Sequence, residues 1–425
     1  MQHTTQKSLS FVLHPAARLA TMVLFSRPSQ WLYVRGSCHE LGHTWHPSCM
    51  YSCCEMFMFV FLEALKVYIP LYLLSNITRL RDLRWVLMSL LPNILRSSLF
   101  LGANGGGFVG FICLNRHVLG GFYKYTAAFV PAFLASLCTI FIERKNRRRL
   151  LLGYMSTMAA EAVYSVLKAK GKINGVPYGE VMIFSLASAV LLHRQCTSKV
   201  IPTDTVGSVI SGLLRPSLPS PMKLPFSGMA ANLLWVGLWG FSCGYLIRFL
   251  LSLLTYWRKL VKSTANLKEL ILKKQSLKFG LFLASFSTWF KLSNWLMKVL
   301  AVPQDLRLII SGLIAGLSMV FVRSPVISLY AGWKALEVLY FKAVEKGYAK
   351  SWYYGDAVLF SISTAIVFHS LFFDAHHLRE AYFKFIDRVT RGRILLMNYE
   401  VIDQFGTNAS LRPMQLLREH SAKDK

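Results

Sequence analysis

The sequence predicts an all-α, polytopic integral membrane protein with about ten helices in two internally repeated halves. Hydrophobic residues make up 54% of the 425-residue chain and charged residues only 16%, whereas soluble domains carry roughly 25% charged residues. Long apolar stretches alternate with short basic connectors, as expected when helices cross a bilayer and loops leave it. A segment of the first half also recurs in the second half.

The apolar stretches set the predicted organisation of the chain. Those long enough, or nearly so, to cross a bilayer lie at 55–75, 85–114, 125–142, 150–168, 179–193, 229–255, 277–297, 306–322, 326–344 and 356–373. We therefore predict six segments. They are a basic leader that is disordered or targeting (1–35), a Cys/His-rich segment (36–54), a first membrane half (55–194), a polar linker (195–228), a second membrane half (229–373) and a basic amphipathic tail (374–425).

The excess of positive charge predicts contact with membranes. Lysine and arginine total 48 against 20 acidic residues, and they cluster between the apolar stretches, where they meet anionic headgroups or hold topology. A nucleic-acid-binding face needs exposed aromatic residues or a known module. Here the aromatic residues lie inside apolar runs, so the predicted partner is the lipid bilayer and nucleic acid is excluded.

An internal repeat is the most informative pattern. Residues 161–194 and 337–370 align without gaps and share ten of 34 positions, where chance predicts about two. The identical pairs are Glu161 with Glu337, Tyr164 with Tyr340, Lys170-Gly171 with Lys346-Gly347, Tyr178-Gly179 with Tyr354-Gly355, Phe184-Ser185 with Phe360-Ser361, Ala189 with Ala365, and His193 with His369. Five spans in each half predict an inverted repeat, as in many transporters; an interfacial helix in each half predicts a parallel one.

Three carboxylates within apolar stretches form a candidate intramembrane polar site. They are Glu63 and the repeat-related pair Glu161 and Glu337. An unpaired charge in a bilayer costs roughly 2.5–3.5 kcal/mol or more, so such residues face a partner or a water-filled cavity. Two interpretations remain open: an internal salt bridge, or a role in conduction or substrate binding.

Glycine stripes predict close helix packing. Gly102, Gly106 and Gly110 fall on one face of a helix in the first half, and Gly312 and Gly316 do so in the second. Small residues at this spacing let two helix backbones approach closely in a membrane.

The Cys/His-rich segment contains a candidate zinc site. Cys38, His43, His46 and Cys49 are four zinc-ligand types within twelve residues, although their spacing fits no standard finger. Two alternatives remain for this segment: it binds no cofactor, or it forms a small structural zinc site.

Two hydrolase patterns also occur. His39 to His43 matches the two helical histidines and glutamate of zinc peptidases, but Gly42 and Pro47 oppose the helix that this chemistry requires. Gly240 to Gly244 matches a nucleophile elbow without a preceding strand, which we attribute to chance. We expect no enzymatic activity and no catalytic residues.

The tail contains one amphipathic helix. Tyr382, Phe385, Ile386 and Val389 recur at helical spacing among basic residues, which is typical of a helix on an anionic membrane surface or of a cap on the bundle.

Several motifs resemble the transmembrane protein 135 family. They are Cys38 to Cys49 (CHELGHTWHPSC), Leu62 to Lys66 (LEALK), Pro70 to Leu73 (PLYL), Ala103-Asn104-Gly105, Ile142 to Lys145 (IERK), Ser361 to Ala365 (SISTA) and Phe405-Gly406-Thr407. That family is similar to peroxisomal membrane proteins and, more distantly, to pore subunits of mitochondrial inner-membrane translocases.

The resemblance implies a non-enzymatic protein of mitochondrial and/or peroxisomal membranes that regulates mitochondrial fission and fusion, peroxisome organisation and lipid metabolism. It implies the fission machinery or other organellar membrane proteins as partners. The alternatives are a transporter or channel for lipid-derived or other small solutes at the repeat interface, and a membrane zinc peptidase.

Overall fold

The computed structural model describes residues 33–75, 84, 86–197, 226–260, 273–407 and 409–415. Its helices are α1 (Cys38–Leu41), α2 (Cys49–Ser75), α3 (Leu91–Leu119, preceded by a π-helical turn at Val86–Leu90), α4 (Phe129–Thr139, continued by a 3₁₀ turn at Ile140–Ile142), α5 (Lys145–Ala169), α6 (Gly179–Thr197), α7 (Phe226–Leu260), α8 (Lys274–Val299), α9 (Gln304–Gly316, continued by a 3₁₀ turn at Leu317–Phe321), α10 (Pro325–Glu345), α11 (Gly355–Phe373), α12 (Glu380–Val389) and α13 (Tyr399–Asp403). Strands β1 (Tyr33–Val34) and β2 (Phe122–Tyr123) pair in antiparallel fashion.

Local sequence signals explain where several helices begin and end. α3 has a proline in its first turn and ends at Gly120, which adopts a left-handed φ of 74°; both features are typical of helix boundaries. α10 begins after Ser324, whose hydroxyl accepts from the backbone N–H of Ile327, and proline follows directly.

The predicted all-α polytopic class is confirmed. Each of the ten predicted stretches corresponds to one of the helices α2 to α11. Within the described residues, six segments are long and apolar enough to cross a membrane: Cys49–Leu73, Met88–Leu119, Lys145–Ala169, Ala230–Leu253, Gln304–Phe321 and Gly355–Phe373. The chain is therefore a multi-pass membrane protein, and the large exposed apolar side chains on these helices, such as Leu234 and Leu238, are suited to contact lipid.

The chain folds into two compact units. The first comprises the described residues up to Met155 and those from Tyr354 onward. In it, α3 packs between α2 and α4, and α4 also packs against α11. The tail helix α12 packs on α2, and its Tyr382, Phe383, Ile386 and Val389 are buried.

The second unit comprises the described residues of Ser156–Tyr353. Here α8 packs between α7 and α9, and α6 packs against α9 and α10. Its core joins aromatic and aliphatic side chains from α6, α8 and the end of α9, among them Phe184, Leu192, Phe286 and Met319.

The repeat has a structural counterpart. Both aligned segments start on a helix that ends with a left-handed glycine, Gly171 (φ 66°) or Gly347 (φ 77°). In each case the residue after the glycine donates its N–H to the carbonyl five residues earlier, from Lys172 to Leu167 and from Tyr348 to Ala343, which closes the same helix-ending motif. The next helix then begins at Gly179 or Gly355.

The fifth helices of the two halves are exchanged. In sequence order, α2 to α6 of the first half correspond to α7 to α11 of the second. The last helix of the first half, α6, packs against α9 of the second, and the last helix of the second half, α11, packs against α4 of the first. The compact units therefore do not coincide with the predicted halves at 55–194 and 229–373.

Some predictions fall outside the described residues. They concern the leader up to residue 32, most of the polar linker, namely 198–225, and the end of the tail at 416–425.

Candidate metal centre

The Cys/His-rich segment begins with a very short helix. In α1 the Ser37 hydroxyl accepts from the N–H of Glu40, and the Glu40 carboxylate accepts from the N–H of Ser37 at 2.9 Å. This reciprocal cap fixes the first turn, and the helix ends at Gly42. The next turn therefore places His43 close to Cys38.

Four side chains from three separate parts of the chain meet beside α1. The ligand-type atoms of Cys38, His43, Cys49 and Cys113 all lie within 4.8 Å of one another, and the two sulfur atoms of Cys38 and Cys49 are 3.3 Å apart. Ligands of a tetrahedral zinc ion lie roughly 3.3–3.8 Å apart. We call this set the Cys₃His cluster.

The two ring nitrogens of His43 have different surroundings. Its Nδ1 lies 2.8 Å from the carbonyl oxygen of His46, and because a carbonyl only accepts, Nδ1 carries the proton. The other ring nitrogen, Nε2, is buried with no hydrogen-bond partner among the described residues, and the whole residue is 0% exposed. Nε2 is therefore the nitrogen left available as a ligand, as in zinc-binding histidines whose other nitrogen donates to a backbone carbonyl.

The structure corrects one predicted ligand. His46 does not belong to the cluster, since its Nδ1 accepts from the N–H of Ser48 at 3.0 Å and its ring stacks on Tyr51 with centroids 4.1 Å apart. Cys113 of α3 takes the fourth position. Sequence spacing gave no signal for Cys113, because it lies far along the chain from Cys49 in a different helix.

Burial affects the chemistry of the cluster. It raises the pKa of the Cys38 thiol above its usual range, and the neighbouring Cys49 raises it further through a hydrogen bond and charge repulsion. A bound cation has the opposite effect, because it stabilises the thiolate that coordinates it.

The zinc-peptidase pattern does not form. It requires two histidines on one face of a continuous helix with a free glutamate base between them. Here α1 spans only Cys38–Leu41, His39 is outside the cluster, and the Glu40 carboxylate is engaged in the helix cap.

Several contacts fix the segment to the rest of its unit. Arg116 donates from Nε to the carbonyl of Gly36 at 3.0 Å, and the N–H of Asn398 donates to the carbonyl of Leu41 at 3.2 Å. Thr44 donates its hydroxyl to the carbonyl of Leu396. The cluster therefore lies where the N-terminal segment, α3 and the tail converge.

Of the predicted intramembrane carboxylates, Glu63 pairs with basic residues of its own unit. Its carboxylate lies 2.7 Å from Lys66 Nζ and 3.1 Å from Arg391 Nε. About two helical turns before Glu63, Glu55 pairs with Arg393 at 2.6 Å.

The repeat-related carboxylates lie on different helices of the second unit. Glu161 lies partly buried on α5. Glu337 lies on α10, where its carboxylate is 2.7 Å from Nζ of the buried Lys334. An internal ion pair is thus present at Glu337.

The predicted glycines lie at helix contacts. A Cβ added to Gly106 would lie 2.8 Å from the carbonyl oxygen of Cys53, and one added to Gly316 only 2.3 Å from Ser185 Cα. Gly102 and Gly312 are similarly close to α2 and α6, whereas Gly110 has only an ordinary contact, 3.5 Å from Cys53 Sγ.

Two features were missed in the sequence. Gly240 and Gly244, which match the nucleophile-elbow pattern, lie on α7, where an added Cβ at either would lie 2.8 Å from a carbonyl oxygen of α8. Their four-residue spacing was the available signal for helix packing.

The other feature is the buried carboxylate of Glu143. It lies 3.5 Å from the guanidinium of Arg147, and Arg147 also donates to the hydroxyl of Tyr72.

Comparison with known proteins identifies the segment that holds the cluster. Residues 36–167 match the family model of the N-terminal cysteine-rich region of Transmembrane protein 135. Over these residues, the chain is similar to the transmembrane protein 135 family. The matched range contains all four residues of the Cys₃His cluster, and the resemblance predicted from the sequence is confirmed. No solved structure matches the chain significantly.

Proposed function

We propose that this chain is a non-enzymatic membrane protein of mitochondria and/or peroxisomes that regulates mitochondrial fission and fusion, peroxisome organisation and lipid metabolism. The observation that carries the proposal is the match of residues 36–167 to the transmembrane protein 135 family. The six candidate spans support action within a membrane. The proposed partners are proteins of the fission machinery or other organellar membrane proteins.

Imaging and rescue test this proposal. The tagged full chain is expected to co-localise with mitochondrial or peroxisomal markers and to resist carbonate extraction. In cells that lack the protein we expect altered mitochondrial length, peroxisome number and neutral-lipid content, each restored by the wild-type chain. A variant such as Gly316→Leu, which drives α9 and α6 apart, should restore none of them. Residence in a different membrane, or unchanged organelles after its removal, would contradict the proposal.

A transporter or channel is the second candidate, and the repeat favours it. Two halves of five helices, each with a glutamate at the same position (Glu161 and Glu337), match the duplicated architecture of many transporters. Intramembrane carboxylates at repeat-related positions commonly mark solute or proton pathways.

Flux across proteoliposomes tests the second candidate. Uptake of a fluorescent fatty acid by vesicles that contain the wild-type chain should exceed that of empty vesicles, and Glu161→Gln with Glu337→Gln should abolish the excess. Glu345→Gln is the matched control, because Glu345 is exposed on the same helix as Glu337. Equal uptake by wild-type and empty vesicles would exclude transport of this solute class.

A further inference from the structure

The Cys₃His cluster has the composition and geometry of a metal site. Three thiols and one imidazole form a donor set that favours zinc in a tetrahedral arrangement. The four ligand-type atoms lie within 4.8 Å of one another, so one ion at their centre reaches all of them with small side-chain adjustments. Ordinary core packing does not require three cysteines and a histidine to converge from three parts of the chain.

The buried imidazole of His43 independently indicates a ligand. Burying a hydrogen-bond acceptor without a partner costs roughly 1–3 kcal/mol, and such groups are rare in folded proteins. Nε2 of His43 is in this situation, at a residue with 0% exposure. A cation at the centre of the cluster would satisfy this nitrogen, while the carbonyl of His46 holds the opposite side of the ring at 2.8 Å.

We propose that Cys38, His43, Cys49 and Cys113 bind one structural zinc ion. Binding releases the three thiol protons to solvent and forms three zinc–thiolate bonds and one zinc–imidazole bond. Because the protein supplies all four ligands, no position is open for water or substrate, which distinguishes a structural site from a catalytic one.

The zinc ion would clamp the N-terminal segment to two candidate membrane spans. Cys49 is the first residue of α2 and Cys113 lies in the last third of α3, whereas Cys38 and His43 belong to the segment before them. This clamp adds to the packing of α2 on α3, in which Gly102 and Gly106 allow close approach. The inference does not depend on the cellular role or on transport.

Metal analysis of the wild-type chain is the first test. The full chain purified in detergent, without chelators, should contain about one zinc per molecule. Exchange for cobalt should produce the visible bands of tetrahedral Co²⁺ together with thiolate-to-cobalt charge transfer. Zinc well below stoichiometric amounts together with an octahedral or absent cobalt spectrum would overturn the proposal, as would a Cys38–Cys49 disulfide in the protein isolated under reducing conditions. These measurements need no variant and so do not depend on a variant folding.

Single substitutions then identify the ligands. Cys113→Ser and His43→Gln should each reduce zinc content several-fold, whereas Cys113→His, which keeps a zinc-binding side chain, should retain more zinc than Cys113→Ser. Cys54→Ser is the matched control, because Cys54 is exposed and lies outside the cluster. It should keep full zinc content.

His46→Ala tests whether His46 is a zinc ligand, as its position in the sequence predicted, or lies outside the ligand set, as in the structure. The backbone carbonyl that orients His43 survives this substitution, so zinc content should be unchanged. Loss of zinc in His46→Ala, with full zinc in Cys113→Ser, would show that the ligand set is wrong.

Discussion

At the scale of single residues, two acidic side chains of α2 hold the basic turn after α12. Glu55 and Glu63 are two turns apart on one helix face and pair with Arg393 and Arg391. The Arg391 guanidinium also lies 4.8 Å from the centre of the Phe59 ring between them, an attractive cation–π contact. Glu63 lies within a candidate membrane span, where an unpaired carboxylate is costly, and the tail supplies its partner.

Glu63→Gln should therefore destabilise the protein. The amide keeps the size of the side chain but removes the charge that faces Arg391 and Lys66, so we expect a loss of about 1–2 kcal/mol and a lower midpoint of thermal unfolding in detergent. The double variant Glu63→Gln with Arg391→Gln should lose less than the sum of the two single effects, since each removes the same interaction.

Glu380→Gln is the matched control for this substitution. Glu380 also pairs with two cations, Lys384 and Arg412, but its side chain is 54% exposed, and exposed ion pairs contribute little. A Glu63→Gln protein that unfolds at the wild-type temperature would contradict a stabilising role for this pair.

The residues of the metal cluster show what spacing can predict. Cys38, His43 and Cys49 are close in sequence, and one short helix with a tight turn is enough to bring them together. The position of Cys113 could not be predicted from spacing, because only the packing of α3 in the tertiary fold brings Cys113 close to Cys38. His46 was predicted as a ligand by proximity in sequence, but its ring stacks on Tyr51 instead.

At the scale of helices, small residues fill equivalent contacts in the two units. In the second unit, Gly312 and Gly316 of α9 lie against Ala189 and Ser185 of α6. In the first unit α4 packs against α11, and both helices carry small residues that are nearly inaccessible to solvent: Ala132 and Ser136 on α4, and Ser361 and Ala365 on α11. Ser185 and Ala189, which are identical to Ser361 and Ala365 in the repeat, thus serve a helix contact in the second unit.

Gly316→Ala tests the closest of these contacts. The new Cβ would lie 2.3 Å from Ser185 Cα, so the two helices must separate, and overpacking of this kind costs about 1–3 kcal/mol. In contrast, Gly107→Ala places a Cβ at an ordinary 3.6 Å from Ala135 Cβ and should leave stability unchanged or raise it, because alanine favours the helix. Thermal unfolding of both variants in detergent measures the difference. Equal midpoints would show that the backbones do not need this close approach.

The helices could be predicted from the sequence, while part of their packing could not. The lengths of the apolar stretches predicted the positions of all helices from α2 to α11, because a bilayer imposes a minimum length and an apolar composition on each span. Glycine spacing indicated packing at Gly102 and Gly106 but did not name the partner helix. Gly240 and Gly244 gave the same signal, although only the contact with α8 shows its meaning.

At the scale of the whole molecule, duplication and helix exchange together explain the two compact units. Each unit combines the first three helices of one half with the fifth helix of the other, because α11 packs on α4 and α6 packs on α9. Sequence identity between repeats reveals the duplication, but it cannot show which copy of the third helix each fifth helix contacts, since both copies offer similar small residues. The exchange is therefore a property that the sequence alone left open.

The exchange predicts how the chain behaves when it is cut between the halves. A protease site placed between Thr197 and Phe226 divides the chain after α6 and before α7. Because each fragment supplies a helix to the compact unit of the other, the cleaved fragments should co-elute as one particle in mild detergent and separate only when the helices unfold. The same site in a Gly316→Leu chain should give fragments that dissociate more readily, since the α6–α9 contact is weakened. If the wild-type fragments separate in mild detergent while the uncut chain stays folded, each half is self-sufficient and the exchange does not hold the molecule together.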